Sequence, residues 1–216
     1  IVHQYCKGHP WARFGIDLCI GSEADQPITQ RQMMFAPFYL MDAFDGAQIK
    51  GDSIQRPLIT ANELIVDATP EPDESDWMPT PLQCSLLLFI LTAAATIYGI
   101  RRRTGLWGID LFLFGIAGIV GCVLAFLALF SQHPAVSSNF LLLVFHPGQL
   151  LFLPYIIYCV RKGKKCWYLT LNLAVLTLFI VLFPVIPQRF DFAVVPLALV
   201  LLIRSASNLI LTSKKK

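Results

Sequence analysis

Apolar positions are spread unevenly along the 216-residue chain. From residue 82 onward they form five nearly continuous runs, whereas before it they are short and interrupted by acids and prolines. Crossing the hydrocarbon core of a bilayer as a helix takes about 20 mainly apolar residues, because every backbone N–H and C=O must be paired within the segment. Residues 82–100, 107–130, 139–160, 167–186 and 192–211 meet this requirement, and each run ends in a charge cluster or a turn rich in Pro, Ser or Gln. The pattern predicts an all-α membrane domain, a five-helix transmembrane bundle. Pro147 and Pro154 each remove a backbone hydrogen bond from the third run, so that helix is expected to kink or break near His146.

The first 81 residues read differently. Trp11, Phe14, Ile16 and Leu18 precede a Gly21-Ser22 turn, residues 33–44 have the spacing of a short amphipathic helix, and residues 59–66 fit a strand or another short helix. A segment of this size buries only a modest core and has no disulfide framework, so residues 1–66 are expected to be a small mixed segment ending a larger domain. Residues 67–81, with four prolines and five acids, read as an extended linker into the membrane. The chain starts at Ile1 with no charged-then-apolar leader pattern, which predicts a fragment whose export signal lies upstream.

Charge then sets orientation. Residues 1–81 carry five Lys/Arg against twelve Asp/Glu, and residues 82–216 carry twelve against two. Ten of those twelve basic residues form three clusters: Arg101–Arg103, the group from Arg161 to Lys165, and Lys214–Lys216. They follow runs one, three and five, while the alternate loops hold Arg189 alone, so the positive-inside rule puts the clusters in the cytoplasm and residues 1–81 outside. The expected location is the inner membrane, with a periplasmic N-terminal segment and a cytoplasmic C-terminus. Basic residues placed this way signal topology and exclude nucleic acid as a partner.

No nucleotide loop, hydrolase elbow or zinc-protease motif occurs, and the six cysteines have no metal-site spacing, so neither a metal nor another cofactor is expected. Polar residues at the membrane boundary remain as candidates. His133, Asn139 and His146 cluster at the outer end of runs two and three, where they are placed to contact a lipid headgroup or to cap helices. Arg204, with Asn208 one turn away, is placed either to snorkel or to meet an anionic phosphate. Asp17 and Asp25 flank Gly21-Ser22, as a carboxylate pair or as turn and cap residues.

The run Phe14-Gly15-Ile16-Asp17-Leu18, then Gly21-Ser22 and Ala24-Asp25, followed by Met34-Phe35, Pro37 and Leu40, resembles the Lnb-type lipoprotein N-acyltransferase family of Bacteroidota. The likeness continues through His133-Pro134 and Asn139 to Pro147, and departs from the family pattern at Leu141. It implies a periplasmic papain-like domain followed by membrane helices, in an enzyme that moves an acyl chain from a membrane phospholipid to the α-amino group of a diacylated lipoprotein. The family's catalytic histidine lies in a Phe-Gly-His-Thr context and its cysteine in Asp-Asn-Cys-Ser/Thr. Neither occurs in this sequence, so no catalytic residue is assigned and Asp17, Gly21 and Asp25 are carried as family-motif positions. Two other readings stay open. One is a small transporter or channel using His133, His146 and Arg204, and the other is a non-catalytic anchor or assembly protein of the envelope.

Overall fold

The computed structural model describes residues 2–51, 55–63, 65–66 and 78–213. The expected linker at 67–81 and the terminal lysine cluster therefore lie largely outside the described residues. The chain divides into two compact units: residues 1–8 with 26–77, and residues 9–25 with 78–216. The division thus falls inside the N-terminal segment, and residues 9–25 belong with the helices.

The first unit holds α1 (Val2–Tyr5), α3 (Gln30–Met33), α4 (Pro37–Asp45) and an antiparallel hairpin of β1 (Gln48–Lys50) and β2 (Gln55–Pro57), with Ile49 opposite Arg56. The helix expected over 33–44 is split, because Pro37 supplies no N–H to continue α3 and instead opens α4. The described part of 59–66 is neither strand nor helix. Tyr5 stacks on Phe38 at 5.7 Å and accepts a hydrogen bond from its backbone N–H. Among the described residues of this unit, Ala36 alone is buried and apolar.

The second unit opens with α2 (Pro10–Cys19), and its long helices are α5 (Pro81–Arg102), α6 (Trp107–Phe130) and α10 (Val194–Ser213). Thr80 caps α5 by accepting from the Gln83 N–H, while the Gln83 side chain accepts from the Thr80 N–H. These three helices are long and apolar enough to cross a membrane. The third expected span is not one helix. A 3₁₀ turn (Phe140–Leu143) leads to α7 (Pro147–Leu151) and α8 (Leu153–Lys162), with breaks where Pro147 and Pro154 interrupt the hydrogen-bond ladder. The fourth, α9 (Trp167–Leu182), has 16 residues, about 24 Å at 1.5 Å per residue and short of a 30 Å core. Together α8 and α9 are apolar enough for one span but bend by 111° where they join, so among the described residues length and composition mark three helices able to cross, or up to four counting that pair as one span.

Small residues decide how these pieces pack. A Cβ on Gly121 would overlap the backbone of His146, and one on Gly118 the backbone of Leu150, so α6 receives the broken third segment at backbone contact. Packing along α10 is supplied by α5 and α9. Phe114, Leu141, Ile156, Leu176 and Phe179 are fully enclosed, whereas Leu87, Ile90, Phe112, Phe126 and Val181 point outward. Apolar side chains arrayed outward along several helices are unfavourable in water and natural against lipid.

Candidate functional site

Three polar networks occupy different levels of the helical unit. The first is a latch at the end opposite the basic loops. Pro10 starts α2, which ends at Cys19, and the chain then turns through Ile20 and Gly21. Gly21 N–H donates to the Ala135 carbonyl at 2.7 Å, and a Cβ at this position would sit inside the Ser137 carbonyl, so no other residue fits. The Ser22 N–H and hydroxyl both donate to the Ser138 carbonyl, at 3.3 and 3.2 Å. Asn139 Nδ2 donates to the Leu18 carbonyl at 2.8 Å, satisfying an open helix end, while its Oδ1 accepts from the Leu141 N–H and caps the 3₁₀ turn.

Gln188 completes this latch. Its Nε2 donates to the Ile20 carbonyl at 2.9 Å and to Asn139 Oδ1 at 3.2 Å, and its Oε1 accepts from the Phe140 N–H at 2.8 Å. Asp25 accepts from the Arg189 N–H at 2.6 Å. Arg13 bridges Asp191 at 3.3 Å and lies 3.9 Å from Asp17. The two family-motif carboxylates thus serve different cationic or N–H donors. His133, exposed at the rim, accepts from the Ala135 N–H and caps the turn that meets Gly21. Burial pushes the Cys19 thiol above its ordinary pKa, which disfavours a nucleophilic thiolate there.

The second network lies deeper. His146 Nε2 pairs with Asn172 Oδ1 at 3.4 Å, and Asn172 Nδ2 donates to the Ser205 hydroxyl at 3.0 Å. Beside them are two buried polar atoms, the Tyr168 hydroxyl and Gln149 Oε1, that find no hydrogen-bond partner among the described residues. The third network is a buried ion pair. Arg204 is 3% exposed and Asp110 2% exposed, and their fork contacts measure 2.7 Å from Nε and 3.0 Å from a terminal nitrogen. Thr96 accepts a further guanidinium N–H at 3.0 Å. Arg204 therefore turns into the bundle. Asn208 holds the α8–α9 turn, accepting from the Cys166 N–H and donating to the Lys164 carbonyl.

A family model described as Lnb transmembrane domain matches residues 73–216. The chain belongs to the Lnb transmembrane domain family. No curated protein and no solved structure matches it. In this Lnb membrane domain, His133 and Asn139 sit at the latch, His146 belongs to the inner network, and Arg204 belongs to the ion pair. Sequence reasoning missed Gln188, Asn172 and Tyr168. It also left Asp110 unpaired, although Asp110 and Arg204 are the two opposite charges inside the apolar runs, and such groups need partners.

Proposed function

We propose that the chain supplies the membrane portion of an enzyme that transfers an acyl chain from a membrane phospholipid to the α-amino group of a diacylated lipoprotein. In this reading the chain crosses the inner membrane five times, with the latch on the periplasmic face and the C-terminus in the cytoplasm. The first segment to carry the family motif, residues 9–25, closes onto the loops at the end opposite the basic clusters, and that observation carries the proposal. A bundle gripping the segment next to a catalytic domain holds that domain against the leaflet where both lipid substrates reside. Their encounter is thereby confined and oriented.

The chemistry implied by the family resemblance is acyl transfer in two steps. A cysteine thiolate, activated by histidine, attacks the phospholipid ester carbonyl; a thioester forms and lysophospholipid leaves as the alcohol after taking a proton. The lipoprotein amine then attacks the thioester, forming the amide and releasing the thiolate, while the histidine takes up the proton the amine loses. Residues of this chain bind and orient the partners and contribute no nucleophile. The transporter reading needs His133, His146 and Arg204 along one path, whereas each is tied into a separate network.

The test is the acylation state of lipoproteins in cells carrying the native gene, read by mass spectrometry of the N-terminal lipopeptide. Wild type should yield the N-acylated form. Gly21→Val, which opens the latch, should leave mostly the diacylated form at unchanged protein level. Full N-acylation after deletion of the gene, in a strain with no second acyltransferase, would overturn the proposal.

A further inference from the structure

Three adjoining cavities lie at the basic end of the helical unit, away from the latch. The innermost, about 140 Å³, lies between the ends of α5 and α8 and the flank of α10, where Arg103, Arg204 and Asn208 line it. A single water needs about 10–15 Å³, so the space suits a polyatomic group. Two wider cavities of about 330 and 520 Å³ continue it outward, the nearer sharing Arg103 with the inner one and both sharing Arg161 and Lys162. The result is one trough from the buried guanidinium to the surface.

Its charge is one-sided. Among the described residues no carboxylate pairs with Arg103, Arg161 or Lys162, and Asp110 is bound to Arg204. Arg204 uses three of its five N–H donors on Asp110 and Thr96, leaving two on a side chain that lines the inner cavity. Trp107 lies under the Arg161 guanidinium at 5.0 Å, and Tyr158 borders the outer cavity. Aromatic rings with basic residues are the composition of the headgroup level of a bilayer, and basic pockets between helices there recruit anionic lipids. Pro154 and Ile157 extend the trough along an apolar flank of α8.

We infer that this trough binds the phosphate of an anionic phospholipid, with the acyl chains lying along Pro154 and Ile157. The site stands apart from the latch, so its test is independent of the acyltransferase reading. The full chain, purified in neutral detergent, is titrated with phosphatidylglycerol, phosphatidylcholine and inorganic phosphate, and bound lipid is counted by native mass spectrometry. Phosphatidylglycerol should bind at least about fivefold more tightly than phosphatidylcholine. Arg103→Asn, which tolerates the left-handed backbone there, and Lys162→Gln should each lose about fivefold in affinity. Arg101→Gln, outside the trough, should not, and thermal melts of the lipid-free variants confirm that they are folded. Equal binding of phosphatidylcholine, equally strong competition by inorganic phosphate, or equal loss in Arg101→Gln would overturn the inference.

Discussion

Replacing Asp110 with Leu would leave the Arg204 guanidinium enclosed with Thr96 as its remaining partner. The pair is a two-point fork with both side chains almost fully buried, at 3% and 2% exposure, so solvent cushions its removal only along the edge of Arg204 that lines the inner cavity. Breaking such a pair by deleting one partner costs about 3–5 kcal/mol, whereas replacing both by apolar groups is often neutral or stabilising by about 1–4 kcal/mol. The expected result is a non-additive cycle. Asp110→Leu and Arg204→Met should each destabilise by about 3 kcal/mol or more, and the double variant should return to within about 1 kcal/mol of wild type. Equilibrium unfolding in mixed micelles, followed by tryptophan fluorescence, measures all four corners. A double variant as unstable as the sum of the singles would refute the argument, because it would mean that neither loss came from a stranded charge. Ordinary hydrogen bonds between membrane helices couple by only about 0.6 kcal/mol, so a coupling of several kcal/mol is readily told apart.

Two further outcomes follow from single groups. The unpartnered Tyr168 hydroxyl predicts that Tyr168→Phe raises stability by about 1 kcal/mol in the same unfolding assay, and a loss would show that the hydroxyl is bonded in the bilayer. For Cys19, a thiol raised by burial ionises later as pH rises, so its alkylation rate should have a midpoint above that of free cysteine and lag behind it at pH 8. A midpoint at or below the free value would show that the segment around α2 is open.

The helices α5, α6 and α10 were legible in the sequence because each is a long apolar run bounded by charge or by a capping Thr80. The interruption near His146 was legible for the same kind of reason, since Pro147 and Pro154 act locally. The extent of that break was not, because the 3₁₀ turn over Phe140–Leu143 depends on Asn139 Oδ1 reaching forward to accept from the Leu141 N–H while its Nδ2 holds Leu18. Apolar content alone marks Phe140–Leu143 as helix. Least visible was the placement of residues 9–25 with the bundle. The acceptors there are the carbonyls of Leu18, Ile20, Ala135 and Ser138, and a backbone carbonyl leaves no trace in residue type. Gly21 was the visible token, marked as a family-motif position without its reason. That reason is the Ser137 carbonyl occupying the volume of a Cβ.

The latch also imposes an order on synthesis. Gln188 and Asp191 meet Ile20 and Arg13 across 168 and 178 residues of chain. At about 5–20 residues per second, roughly 8 to 36 s separate translation of one side of the clasp from translation of the other. During that interval Asn139 can reach the Leu18 carbonyl at the end of α2, but the Ile20 carbonyl waits for the Gln188 amide that the α9–α10 turn supplies. Closure of the latch therefore waits on the α9–α10 turn, and a chain stalled before residue 188 leaves the Ile20 carbonyl without its amide.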